Sequence, residues 1–187
     1  MIDWIVRWKW VLFGVIALAG VAAWLDHLWF KRQHSQDDVI LLAAKRYGVE
    51  PALVRAVVWR ESRFDPAAHG TKGEIGLMQI GALAAQEWAE SERLAGFKHE
   101  DLFDAALNAR AGTWYLGKMI RRYKDTDNPY CYALADYNAG RSHVLRWLEG
   151  PARTNSQVFL EQMDFPGTRR YIESILRKYR IYKEEEK

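Results

Sequence analysis

The chain has 187 residues, 49% hydrophobic and 13% aromatic, with nine Trp, a composition far from that of disordered segments and enough for one packed domain once a targeting segment is set aside. Its formal net charge is only +3, and no long block of Lys or Arg interleaved with aromatics marks a nucleic-acid face, so nucleic acid is not expected as a partner. The single cysteine, Cys131, excludes an intramolecular disulfide and a Cys-based zinc site, and five histidines without HExxH or paired spacing indicate no metal or other cofactor.

From Trp10 to Leu25 the stretch "WVLFGVIALAGVAAWL" carries no charge and follows Arg7 and Lys9. Three readings compete: a retained signal anchor, a cleaved signal peptide and a hydrophobic core helix. The core helix is the weakest, because the run is apolar on every face and sits at the terminus behind basic residues. "Ala17-Leu18-Ala19" and "Val21-Ala22-Ala23" both resemble a cleavage pattern, yet the apolar run continues past them. Counted on to Leu28-Trp29-Phe30, the segment reaches the ~20 residues needed to span a bilayer, with Trp24 and Trp29 placed as interfacial aromatics. Retention is therefore favoured, with residues 1–33 as the anchor or signal segment and 34–187 as the folded domain. Lys31 and Arg32 balance Arg7 and Lys9, so charge does not orient the helix.

Beyond the anchor, "HSQDDVILLAAKRYGV" predicts a helix capped by Ser35 or Asp37, with Val39, Leu42, Ala43 and Tyr47 on the inner face and Gly48 as the stop. A second helix starts at Pro51, whose missing N–H suits a first helical position. Its apolar residues Leu53, Val54, Val57 and Val58 recur at three- and four-residue spacing. Glu61 falls three, four and seven residues after Val58, Val57 and Val54, so it continues the apolar stripe, an odd place for a solvated carboxylate. The Gly- and Pro-rich "FDPAAHGTKGEIG" predicts a loop, with a short extended piece as an option, and "LMQIGALAAQEWAESERL" a further helix. The longest periodic segment, "DLFDAALNARAGTWYLGKMIRRY", carries Leu102, Ala105, Ala106, Ala109, Thr113 or Trp114, Leu116 and Ile120 on its inward face. Helices also fit 130–137, 142–148, 156–163 and 168–182, and the tail "KEEEK" reads as a solvated end. Alternating strand patterns are nearly absent, and the fold class expected is mainly α.

Five segments, "YGVEPALVRAVVWRESRFDP", "GEIGLMQI", "DLFDAALNARAGTWYL", "ADYNAG" and "FPGTRRYIESI", stand together in an order that resembles the lysozyme-like catalytic domain of the soluble lytic transglycosylases, glycoside hydrolase family 23. The likeness runs from about residue 36 to 182. It implies a helical lysozyme-like domain with a short irregular or β-like loop region, and Glu61 as the catalytic acid. In that family one Glu protonates the bond between N-acetylmuramic acid and N-acetylglucosamine, then deprotonates the 6-hydroxyl that closes on C1 to form a 1,6-anhydro sugar. The resemblance also implies Ser62, Met78, Gln79, Tyr137, Asn138 and Tyr171 as substrate-binding residues. Met78 and Tyr171 have an ordinary core role as the alternative, and Asn138 with Gly140 a helix-ending turn. The partners it implies are peptidoglycan glycan strands and a bacterial inner membrane, crossed once, with the domain in the periplasm. The alternatives are a goose-type lysozyme-like hydrolase of the same bond and a non-catalytic wall-binding module.

The residues themselves fit an acid role, since desolvation on an apolar stripe disfavours the charged form of Glu61. Arg60 is expected to have little effect on it, because one helical step turns it about 100° away. The pattern departs from the family at Gly70, where Ser is usual, at Glu74, where Ala is usual, at Gly81-Ala82 in place of Met-Pro, and at Gly167 in place of Glu. Glu74 adds a second carboxylate, read either as a surface residue or as one that faces the groove; Asp65 and Asp136 are read as surface residues.

Overall fold

The computed structural model describes residues 2–185, with side chains from Trp10 onward except that of Val11; Glu186 and Lys187 of the tail, and the side chains of Arg7 and Lys9, lie outside it. The chain divides after Gln36 into two compact units. The first is helix α1 (Ile2–His34), at about 1.5 Å per residue close to 50 Å long. Its apolar part reaches a mean hydropathy of 1.6 over 18 residues, with none of that window buried, so its length and composition suffice to cross a membrane.

In the second unit the expected helices form in order. Helices α2 (Asp37–Tyr47) and α3 (Pro51–Glu61) precede a long loop that leads to α4 (Ala82–Ser91). A 3-10 turn (His99–Phe103) opens α5 (Ala105–Arg122), followed by α6 (Pro129–Ala139), α7 (Arg141–Trp147), α8 (Ser156–Gln162) and α9 (Pro166–Glu185). Among the described residues there is no named strand, only the isolated bridges His69 to Ile75 and Ile75 to Ile80, which are the short extended piece of the loop.

Helix α3 is the centre of the domain. Ala52, Leu53, Val54, Ala56, Val57 and Val58 are all fully buried, and the helix packs chiefly against α9. With Pro51 at its first turn and no side-chain cap from Glu50, its start is tied instead by the Glu50 carboxylate, which accepts from Tyr179 and, at 3.1 Å, from Lys183 of α9. Two ionic clusters clamp the other helices. Glu92 accepts from Arg46 at 2.5 Å, Arg110 at 2.9 Å and Tyr47 at 2.9 Å. Buried Asp136 accepts from Tyr123 at 2.8 Å and from Arg122, joining α5 to α6.

The structure corrects the sequence reading in four places. On α2 the inner face is Ile40, Ala43 and Ala44, and Leu42 is 68% exposed; in the run Val39 to Leu42 several registers satisfy a helical period. On α5 the inward residues include Asn108, Ala111, Gly112 and Thr113, while Ala106 is exposed. The close approach of Met78 in the loop selects a glycine at 112, and a partnered amide is as good an inward residue as alanine. Residues 77–80 are not helical, because Gly76 and Gln79 hold φ of 77° and 49°, left-handed backbone that ends a helix. Asp136 is 2% exposed, a structural ion-pair residue and not a surface one.

Candidate active site

Glu61 ends α3, and the chain turns sharply after it. Ser62 closes the helix, donating from Oγ to Val58 O at 3.3 Å and accepting from Asp65 N at 3.2 Å. Arg63 and Phe64 then adopt φ of 55° and 63°. Each left-handed residue costs about 1–2 kcal/mol; the Phe64 ring is 1% exposed, and burying it contributes about 1.5–3 kcal/mol, which offsets most of the cost of the turn that presents Glu61.

The carboxyl of Glu61 opens on a groove of about 630 Å³ lined by residues that include Glu74, Gln79, Leu83, Tyr115, Tyr137 and Asn138. Tyr171, on α9 and 3% exposed, donates to Glu61 Oε1 at 2.5 Å. Burial pushes the Glu61 carboxyl up to about 7. The Tyr171 hydrogen bond and the Arg60 charge oppose that rise, and the negative charge of Glu74 adds to it. Arg60 therefore does act on Glu61, against the expectation from helical angle. Its long side chain lays the guanidinium 5.3 Å from the centre of the Tyr171 ring. Arg63 points elsewhere, 3.9 Å over Trp59.

The other residues singled out from the sequence divide into two sets. Tyr137, Asn138 and Gln79 lie on the groove wall, while Tyr171 is not part of that lining: it reaches Glu61 from α9 through its hydroxyl and lines a neighbouring pocket with Arg60 and Asn138. The Tyr137 hydroxyl donates to Met78 O at 2.8 Å, and burial together with the charge of Glu61 holds it protonated, its pKa well above the usual range. Asn138 accepts from Thr168 Oγ1 at 2.9 Å through its carbonyl, which leaves its amide N–H groups for a ligand. Gln79 spends its amide nitrogen on Ala68 O and Gly76 O at 3.1 and 2.9 Å, so only its carbonyl oxygen is left for the groove. Ser62 and Met78 are outside the lining. The Met78 side chain is fully buried against Gly112 and Thr113.

Sequence reasoning passed over Leu83 and Tyr115 of the groove lining, and also a residue that holds the groove without lining it. Asn108 of α5, fully buried, accepts from Met78 N at 2.8 Å and donates to Ile75 O and Leu102 O at 2.7 and 2.9 Å. It fixes the loop from below, and with it Met78 O, the acceptor of Tyr137. The argument applied to Gln79, that an amide among apolar neighbours needs partners, would have found it.

A helical scaffold whose central helix ends in one desolvated carboxyl at an open groove defines a lysozyme-like domain. The chain belongs to the Transglycosylase SLT domain family, whose pattern matches residues 38–160. It is 37% identical over 105 residues to membrane-bound lytic murein transglycosylase F of Desulfosudis oleivorans, covering 54% of this chain and 21% of that one. To membrane-bound lytic murein transglycosylase C of Shigella sonnei it is 35% identical over 122 residues, covering 62% and 34%. The chain thus spans about a fifth to a third of the length of these relatives. Among solved structures it resembles the lytic transglycosylase Slt of Pseudomonas aeruginosa, in an inactive mutant with glutamine in place of a glutamate, at a TM-score of 0.72 and 26% identity over 79% of this chain and 24% of that one. The 70 kDa soluble lytic transglycosylase of Escherichia coli matches at a TM-score of 0.70 and 25% identity, with the same coverage.

Proposed function

We propose that this chain is a membrane-tethered lytic transglycosylase of peptidoglycan, with Glu61 as acid and then base. The observation that carries the reading is a carboxyl at about 7 on the wall of an open groove. Near neutral pH a large share of it is protonated, as proton donation to a leaving oxygen requires. Glu61 gives its proton to the glycosidic oxygen between N-acetylmuramic acid and N-acetylglucosamine, the C1–O bond breaks, and the substrate's 2-acetamido group stabilises the cationic centre. The Glu61 carboxylate then takes the proton of the 6-hydroxyl as its oxygen closes on C1. A 1,6-anhydro end forms, and Glu61 is an acid again.

The supporting residues follow from their free atoms. Tyr171 holds Oε1 of Glu61, which leaves Oε2 to face the scissile oxygen. Asn138 N–H and the Gln79 carbonyl are left to meet the acetamido and hydroxyl groups of the sugars. Ser62 and Met78 support the site from behind, by closing α3 and by carrying the acceptor of Tyr137. The relatives' names and the inactive glutamine mutant among the solved structures support the reading.

The substrate lies outside the cytoplasm, so α1 crosses the inner membrane once with its N-terminus inside, and residues 34–187 form the periplasmic domain. The apolar character of α1 and the membrane-bound relatives support this placement. The test is mass spectrometry of the muropeptides released from purified peptidoglycan by the full chain in detergent. Anhydro ends are expected, and Glu61→Gln is expected to release none. Undiminished cleavage by that variant, or a wild-type digest free of anhydro ends, would refute the proposal.

A further inference from the structure

Glu74 stands in the same groove as Glu61 and is held from one side only. Lys72 N donates to its Oε2 at 3.0 Å, and no protein donor reaches Oε1 among the described residues. The space for this carboxylate is made by Gly70. A β-carbon at position 70 would collide with Glu74 Oε2 and lie 2.9 Å from Glu74 Cβ and 2.8 Å from Gln79 Oε1, closer than packed atoms tolerate. Gly70 is not in left-handed backbone, so its missing side chain concerns room and not conformation. Side chains at 70 and 74 compete for one volume, and here the carboxylate fills it.

We propose that Glu74 is a second catalytic carboxylate, which holds a water beside the sugar C1 and takes its proton, so that the chain hydrolyses part of what it cleaves. The inference rests on the cleavage proposed above and concerns the fate of its intermediate. After Glu61 has protonated the leaving oxygen, two nucleophiles can reach C1. The 6-hydroxyl is part of the same sugar, and well-oriented intramolecular groups act at effective molarities of up to about 10⁵–10⁸ M. Free water does not compete with that; a water held and deprotonated by a fixed carboxylate does. In this branch the water oxygen bonds to C1, its proton passes to Glu74, a reducing end leaves, and the proton returns to Glu61 through solvent. The backbone N–H of Lys72 fixes one oxygen of Glu74, and the other is free to accept from the water.

The experiment scores both kinds of end. Peptidoglycan is digested with the full chain in detergent, the products are reduced with borohydride, which modifies reducing ends and leaves anhydro ends intact, and the two are counted by mass spectrometry. Wild type is expected to give both. Glu74→Gln removes the base, and Gly70→Ser displaces the carboxylate by occupying its volume; each is expected to lower the ratio of reducing to anhydro ends at least tenfold. Because they act by different routes, the test does not depend on the folding of either one. A wild type that forms only anhydro ends, or a ratio unchanged in the folded variants, overturns the role of Glu74 and leaves the transglycosylase reading intact. A wild type that forms only reducing ends, lost on Glu74→Gln, has the opposite meaning: Glu74 stands and the transglycosylase reading falls. No cleavage at all by wild type overturns both.

Discussion

Tyr171 donates to Glu61 Oε1 at 2.5 Å across 110 residues of sequence, and this bond works against the burial that makes Glu61 an acid. The two effects serve different ends. Burial sets the proton affinity, and the tyrosine sets the direction in which the carboxyl points. Tyr171→Phe removes a group that lowers the pKa, so Glu61 will hold its proton to still higher pH, and the alkaline fall of kcat/KM will move upward from about 7. Loss of orientation will lower kcat about tenfold, within the range of positioned acid catalysis. A packing defect alone would lower activity at every pH and leave the limb in place. Arg60→Gln will shift the limb in the same direction, because the arginine charge also lowers the Glu61 pKa.

The same carboxyl weakens the fold. Its pKa is 4.5 ordinarily and about 7 here, so the folded chain binds the proton more tightly than the unfolded chain. Stability therefore falls as pH rises from 4.5 to 7, and the full penalty applies above that. At about 1.36 kcal/mol per unit it comes to roughly 3 kcal/mol. Glu61→Gln keeps the shape and removes the charge. It is expected to melt higher than wild type at pH 8, by about 5–10 °C for a domain of this size, with the difference closing toward pH 4.5. Thermal melts of both proteins across that range check it; a constant difference would mean that the charge of Glu61 is not the cause.

Asn108 is the hidden anchor of the groove. Asn108→Leu leaves Met78 N buried without its acceptor and removes three hydrogen bonds. Net bonds of about 1 kcal/mol each, and a further cost of about 1–3 kcal/mol for the unpaired donor, give a loss of about 4–6 kcal/mol. Since Met78 O is the acceptor of Tyr137, activity will fall about tenfold even at temperatures where the variant is fully folded. Denaturant melts and turnover measured on the same preparation separate the two losses.

How far the sequence could be read depended on what each side chain touches. The stripe of α3 was plain because Leu53, Val54, Val57 and Val58 are all core residues, and Glu61 on the same stripe stood out as misplaced for a solvated carboxylate, an oddity to which only the family resemblance attached the role of an acid. Asn108 was hidden because polarity counts against an inward position until its partners are known, and those lie 6, 30 and 33 residues away in sequence. The effect of Arg60 was hidden for a related reason: helical angle places a Cα, while a guanidinium on a long stem reaches back over Tyr171. The break at "GLMQI" needed knowledge that Gln79 takes left-handed backbone, which its amide supports by bonding Ala68 O and Gly76 O. Whether Glu74 faced the groove turned on the volume released at Gly70, a property of two residues together that neither shows alone.

Gly112 tests the packing beneath the site. A β-carbon there would collide with Met78 Sδ and lie 2.6 Å from Met78 Cβ, so α5 and the loop approach as closely as a glycine allows. Gly112→Ala will push the two apart. Overpacking of this kind costs about 1–3 kcal/mol, read as a lower melting temperature, and it will also loosen the tie from Met78 O to Tyr137 and lower kcat. Met78→Ala added to Gly112→Ala relieves the clash with sulfur but not that between the two β-carbons. The double variant is therefore expected to recover only part of the loss in stability and none of the loss in kcat. Full recovery of both would show that the sulfur, and not the backbone approach, is what the glycine accommodates.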